Sequence, residues 1–284
     1  MPRKFLESEL PERDPQDCLF HIIPVPLEAS VSYGAGTAEG PGAILAASQQ
    51  LELYDGHSYP YEEGIHTRAP IECTCPIENL LQIISTLADE ILADDKIPVL
   101  LGGEHTVSTA MIDAVQDPSQ IGIVQFDAHA DLRATYQDSA YSHACVLRRF
   151  FEKKFPIQQI GVRSLSREEV DLRRDNDIAH LDAEEMARNG LPDRILAANF
   201  PEKIYLTIDV DVLDPSIMPA TGTPEPGGLD WHQLFFALEN VIKDRQVVGF
   251  DIVEFAPIAG LHHPDFTSAR LIYNLMGLIS RNRK

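Results

Sequence analysis

Three side chains able to ligate metal ions stand at alternate positions in Phe126-Asp127-Ala128-His129-Ala130-Asp131, directly after the apolar run IGIVQ (121–125). In an extended backbone, side chains two apart project to the same side. Asp127, His129 and Asp131 could therefore converge on one small volume where a strand runs out. A lone D-x-H can do no more than close a turn, but three ligands in succession after a buried strand point to a site. The run KIYLTI (203–208) leads in the same way into Asp209-Val210-Asp211, with Asp214-Pro215 beyond. Two carboxylates ending an apolar strand are costly unless they are paired or bound to cations. A third segment, Gly102-Gly103-Glu104-His105, follows the run IPVLL (97–101). Its glycines permit a tight turn that sets His105 at the start of an expected helix.

The candidate ligands are thus His105, Asp127, His129, Asp131, Asp209 and Asp211. Their carboxylates carry a charge that two divalent cations would neutralise. Oxygen-rich ligation with two imidazoles suits Mn²⁺, with Zn²⁺, Fe²⁺ or Co²⁺ as alternatives. Two-metal sites hold their ions about 3.5–4 Å apart and can lower the pKa of a water between them from about 15.7 toward about 7. A hydroxide is then available at neutral pH without a serine or cysteine nucleophile. The expected chemistry is metal-assisted hydrolysis of a small substrate.

Elements must place these residues together. Apolar runs at 19–24, 97–101, 121–126, 157–162, 203–208 and 246–252 read as strands. Segments 76–94, 104–116, 143–152, 230–243 and 265–281 read as helices, the first with Leu80, Leu81, Ile84 and Leu87 on one face. Near-continuous hydrophobicity is what strands show when helices cover both faces of their sheet. Alternating strands and helices imply a mostly parallel sheet. No linker or repeat divides the chain, so 1–284 reads as one α/β domain with its function gathered at the strand ends.

Composition narrows the partners. The chain has 23 basic against 44 acidic residues, a formal charge of −21. That balance argues against nucleic acid and anionic membranes, which need Lys/Arg patches, and suits a cationic substrate or metal ions. Cys18, Cys73, Cys75 and Cys145 form no C-x-x-C pair and read as free thiols of a reducing compartment. The segment MPRKFLESELPERD lacks an apolar signal core, and acids interrupt every apolar run before membrane length. The expected location is the cytoplasm.

The blocks GGEHTVS (102–108), FDAHADLR (126–133), SHACVLRR (142–149), TIDVDVLDPSIMPATGTPEPGG (207–228) and DIVEFAP (251–257) resemble the ureohydrolases, the family of arginase and agmatinase. SYGAGTAEGPGAI (32–44) resembles that family's opening loop and DFTSARL (265–271) its last helix, so the similarity spans nearly the whole chain. The resemblance implies a three-layer α/β/α fold, a trimer or hexamer, and two Mn²⁺ held by the six ligands. Asp127 and Asp209 would bridge, with His105 and Asp131 on one ion and His129 and Asp211 on the other. It also implies that His143 shuttles protons, that Glu254 holds the guanidinium of a small cationic substrate, and that Thr223 lies close to that group. Hydrolysis at the guanidinium carbon would give urea and an amine.

Departures from the family pattern shape the expected subtype. Glu104 stands where many relatives have Asp, and is expected outside the ligand set. Thr223-Pro224-Glu225-Pro226-Gly227-Gly228 resembles agmatinase more than arginase. The segment LRATYQDSAYS (132–142) lacks the Asn-containing loop with which arginases grip an amino acid's head group. Agmatine, which has no α-carboxylate, is the favoured substrate. Guanidinobutyrase, arginase, formimidoglutamase and aminopropylagmatine ureohydrolase are the alternatives within the family. A two-metal phosphoesterase would need a phosphate-cradling glycine loop with a basic partner, which is not seen. An inactive regulator would have lost ligands, and none is missing.

Overall fold

The computed structural model describes residues 3–115 and 117–283. Eight strands form one sheet: β1 (Phe20–Val25), β2 (Ile65–Thr67), β3 (Ile97–Gly102), β4 (Ile121–Phe126), β5 (Ile157–Ile160), β6 (Ala179–Leu181), β7 (Lys203–Asp209) and β8 (Gln246–Val253). Their order across the sheet is β2-β1-β3-β8-β7-β4-β5-β6, and every neighbouring pair is parallel.

β1, β3 and β4 are buried at every position. The reason is visible where consecutive residues part to opposite faces. Ile22 and Val99 pack into one apolar cluster while Ile23 and Leu100 pack into another. The first cluster takes Ile44 and Leu45 of α1 (Gly40–Ser48), Leu234 and Leu238 of α6 (Trp231–Ile242), and Leu271 and Leu275 of α7 (His263–Arg283). The second takes Leu80 and Ile84 of α2 (Ile77–Ala93) and Val146 and Phe150 of α3 (Val146–Glu152). Two cores separated by one sheet are the three layers expected from the resemblance. Each fully buried aliphatic or aromatic side chain contributes about 1.5–3 kcal/mol to holding them.

Several elements were not legible. β2 and β6 are three-residue edge strands with little apolar content. α4 (Arg167–Asp175) and α5 (Ala183–Asn189) are short and mostly polar. α4 starts on a capping box, in which Ser166 accepts from the Glu169 amide and the Glu169 side chain accepts from the Ser166 amide. The helix expected at 104–116 is instead a 3₁₀ stretch, His105–Ile112, buried from His105 through Met111. Thr106, Val107 and Thr109 are β-branched, and the Thr109 hydroxyl donates to the Thr106 carbonyl, competing with α-helical bonding. Gln116, the end of that expected helix, lies outside the described residues. The segment expected as a helix from 143 begins with a 3₁₀ turn, His143–Cys145, before α3.

Strand register brings the motifs together. β3, β8, β7 and β4 are adjacent at the centre of the sheet, and Leu101 pairs with Ile252, Asp209 with Val253, and Phe126 with Ile208. Four strands therefore end level, about 4.7–4.9 Å apart, each releasing one motif at the same carboxyl edge.

Candidate metal centre

Because Phe126 lies beside Ile208, Asp127, the residue after β4, and Asp209, the last of β7, are neighbours. Two groups of potential ligands follow: His105 with Asp127 and Asp209, and Asp127 with His129 and Asp211. Within each group one donor atom per residue lies within 4.8 Å of the others. Asp127 belongs to both. Asp131 joins the first, with Oδ2 2.9 Å from His105 Nδ1. Asp211 closes the second, 2.9 Å from His129 Nδ1. All six expected ligands are thus brought to one place.

The donor set fits divalent cations by its own electrostatics. Asp127, Asp131, Asp209 and Asp211 are all buried, and His105 is inaccessible. Burial, then the charges of Asp211, Asp127 and Glu254, raise the Asp209 carboxyl well above its ordinary range. Burial and the Asp127 charge push Asp131 up to about 7. Burial alone would lower His129, but its contacts with Asp127 and Asp211 override that and push it up to about 12. His105 is likewise raised, by Asp127 and Asp131 against the effect of burial. Without cations, the cluster must hold protons to offset its carboxylates.

His105 decides the matter most directly. Its Nδ1 is buried without a hydrogen-bond partner, although Asp131, Asp127 and Asp209 crowd it at 2.9, 3.3 and 3.7 Å. These contacts are charge proximity rather than aligned hydrogen bonds. An ion is what that lone pair and those oxygens could share. The other ring nitrogen, Nε2, lies 2.7 Å from Thr207 Oγ1, whose hydroxyl donates to Asp251 Oδ1 at 2.9 Å. Since the Thr207 proton is committed to Asp251, Thr207 accepts from His105 Nε2–H, which leaves Nδ1 bare for ligation. Gln125 similarly donates to Asp127 Oδ2 and to the His129 carbonyl, and is itself held by Gln159.

These supporting groups were missed in the sequence. The available signal was polar residues set among apolar ones inside buried strands. Thr207 and Asp251 stand at paired positions of β7 and β8, and Gln125 and Gln159 at paired positions of β4 and β5.

The ligand groups open into a cleft of about 260 Å³ lined also by Tyr33, Arg133, Tyr136, His143, Thr223 and Glu254. Glu254, just past β8, is 8% exposed and accepts a 2.6 Å hydrogen bond from the His105 amide through Oε1. Its φ of 62° is strained for a long side chain, the kind of strain that functional sites retain. Burial pushes its carboxyl up to about 8. His143 stands on the cleft wall with its pKa lowered by burial. Thr223 lies on the wall beside Gly222, whose carbonyl accepts from the Gly34 amide. Glu104 is outside both ligand groups, as expected, yet is 1% exposed and fully engaged in hydrogen bonds. Arg133 was not expected on this wall; its guanidinium sits 5.5 Å from the centre of the Tyr136 ring.

The sequence matches the Arginase family over residues 19–277. It is 38% identical to an N(1)-aminopropylagmatine ureohydrolase of Synechocystis sp., over 97% of this chain and 94% of the relative. The chain belongs to the arginase family. An agmatinase of Pyrococcus horikoshii is 34% identical, with 97% of both chains covered. The agmatine ureohydrolase structure of Thermoplasma volcanium superposes with a TM-score of 0.85 at 27% identity, covering 98% of this chain and 94% of that one. This arginase-family member is accordingly a metal-dependent ureohydrolase that hydrolyses C–N bonds of linear amidines, acting on a guanidino compound. Its adjacent triads match the family's need for a binuclear metal site.

Proposed function

We propose that the chain releases urea from a guanidino amine of the polyamine class, with N(1)-aminopropylagmatine preferred and agmatine the second substrate. The observation that carries the mechanism is the pair of His/Asp triads sharing Asp127 in a cleft that also holds Glu254. The preference for the longer amine is supported by the Synechocystis relative. It extends by one aminopropyl group the agmatine favoured by the motifs alone, and the missing arginase-type loop at 132–142 supports either amine over arginine.

In this proposal His105, Asp127, His129, Asp131, Asp209 and Asp211 would hold two Mn²⁺, with Asp127 common to both triads. When bound, the ions supply Lewis acidity and water activation at neutral pH. Glu254 receives the guanidinium. A carboxylate raised by burial regains its charge when a cation arrives, and a planar guanidinium offers it paired charge-assisted hydrogen bonds. Thr223 borders the same group from the opposite loop. His143, whose pKa is lowered by burial, takes a proton at one ring nitrogen from the adding water and passes it to the departing amine. Water adds to the guanidinium carbon, the C–N bond to the alkyl chain breaks, and urea and a protonated amine leave. We further propose residues 1–284 as one catalytic domain, a trimeric or hexameric assembly, and a cytoplasmic location. Among the described residues no helix is long and apolar enough to cross a membrane.

The test is urea release by Mn²⁺-loaded protein from N(1)-aminopropylagmatine, agmatine, 4-guanidinobutyrate and arginine in parallel. The expected order of kcat/KM places the two polyamine precursors first. Asp127→Ala, which removes a member of both triads, should lower turnover by at least about a thousandfold and reduce bound metal. Preference for arginine or guanidinobutyrate would remove the polyamine assignment.

A further inference from the structure

We infer that Ser30 and Glu104 brace His143, fixing its ring orientation and its Nδ1–H tautomer so that Nε2 is the nitrogen that handles protons in the cleft. The inference rests on His143 being the proton carrier proposed above. It adds two positioning residues from segments distant in sequence.

The geometry is a chain of hydrogen bonds. Glu104, 1% exposed, accepts from the Ala29 amide at 2.5 Å and the Ser30 amide at 2.6 Å through Oε2. Its Oε1 accepts from the Thr106 hydroxyl at 2.6 Å and the Ser30 hydroxyl at 2.9 Å. Ser30 Oγ also accepts from the His143 amide at 3.1 Å, and lies 3.1 Å from His143 Nδ1. A hydroxyl has one proton and two lone pairs, whereas a carboxylate has lone pairs alone. If the Ser30 proton pointed at Nδ1, Ser30 Oγ and Glu104 Oε1 would face each other at 2.9 Å with no proton between them. The proton therefore goes to Glu104, and Ser30 Oγ accepts from both His143 nitrogens that face it, amide and ring. Nδ1 must then carry hydrogen, and the lone pair resides on Nε2.

Two further contacts hold the ring. Ser142 Oγ lies 3.4 Å from the same Nδ1, and the Tyr136 ring packs edge-on with centroids 5.5 Å apart. The brace joins the segment after β1, the exit of β3 and the turn ahead of α3. It ties His143 to the segment that presents His105. The position of the proton carrier is thus built into the same scaffold as the metal ligands, rather than left to a surface loop. A serine in this role must keep its hydroxyl; its size matters less.

The experiment uses full-length protein with ¹⁵N-labelled histidine, loaded with diamagnetic Zn²⁺. The His143 resonances are assigned by their loss in His143→Asn. Near neutral pH, Nδ1 should show a protonated-nitrogen shift and Nε2 an unprotonated one. In Ser30→Ala the two tautomers should mix. With Mn²⁺, kcat should fall about 10- to 100-fold, part of the about 10²- to 10⁴-fold that a proton-transferring side chain contributes, with KM little changed. Ser30→Thr should restore both tautomer and turnover. An Nε2–H tautomer in the unmutated protein would overturn the inference, as would Ser30→Ala with unchanged tautomer and unchanged kcat. If no guanidino amine releases urea, the substrate proposal fails while the tautomer measurement still decides the brace. Full turnover by His143→Asn would overturn the proton-carrier role and, with it, any catalytic use of the brace.

Discussion

Loading two divalent ions into metal-stripped protein at about pH 7.5 should expel at least about two protons per chain, because the protons that balance the free cluster occupy the candidate ligand atoms themselves. His129, pushed up to about 12, and His105, raised well above its ordinary value, each hold a proton at that pH. Each must surrender one to present a bare Nδ1. Asp209 is raised by burial and by Asp211, Asp127 and Glu254, so any proton it holds adds to that count. Asp131, at about 7, adds only a fraction. The sign follows: protonated ligands compete with the ions, so affinity rises with pH. Each proton is worth about 1.4 kcal/mol per pH unit. Two protons strengthen the combined binding of two ions by about 2.7 kcal/mol, roughly a hundredfold, per pH unit near neutrality. Calorimetric titration of Mn²⁺ in buffers of different ionisation enthalpy reads the proton count directly. Release of less than one proton, or an affinity flat from about pH 6.5 to 8, would refute this account of how the carboxylates are buried.

Three substitutions away from the ligands test the supporting structure. Thr207→Val removes the acceptor for His105 Nε2–H and the donor to Asp251. Mn²⁺ affinity should fall about 10- to 100-fold, and an unchanged binding isotherm would refute the orienting role. Gly103→Ala places a Cβ against the backbone of Leu27. It should cost about 1–3 kcal/mol in urea unfolding, and an unchanged midpoint would show that the β3 exit has room. Arg163 donates to several backbone carbonyls, including Asp211 at 2.6 Å and Glu225 at 2.8 Å. Arg163→Ala should lose about 1–3 kcal/mol through the unsatisfied carbonyls and raise KM more than it lowers kcat, since the segment bearing Thr223 is loosened. Equal loss in both parameters would place its role elsewhere.

How much of this was readable in the residues depends on the range of the interaction. Consecutive apolar residues in β1, β3, β4, β7 and β8 announced a sheet covered on both faces, and the candidate ligands were legible because they sit at or just after the ends of those strands. Asp127, His129 and Asp131 needed only local spacing to be noticed. β2, β6, α4 and α5 carry too few apolar residues for any periodicity to register, and they form because the rest of the sheet offers them an edge or a face. The 3₁₀ course of His105–Ile112 was equally hidden, since it depends on complete burial of hydroxyl-bearing and β-branched residues.

By itself, then, the order of residues determined which side chains could ligate, that strand ends would present them, and that two cations rather than a nucleophilic side chain would suit their charge. Only the tertiary structure decided that β3, β8, β7 and β4 end level, that Asp127 belongs to both triads, and that Thr207 turns His105 Nδ1 toward the ligand oxygens. It alone joined Glu104 through Ser30 to His143. The physical reason is that strand register and hydrogen-bond direction are properties of pairs distant in sequence. No local pattern specifies which lone pair a proton will face until the chain has closed around it.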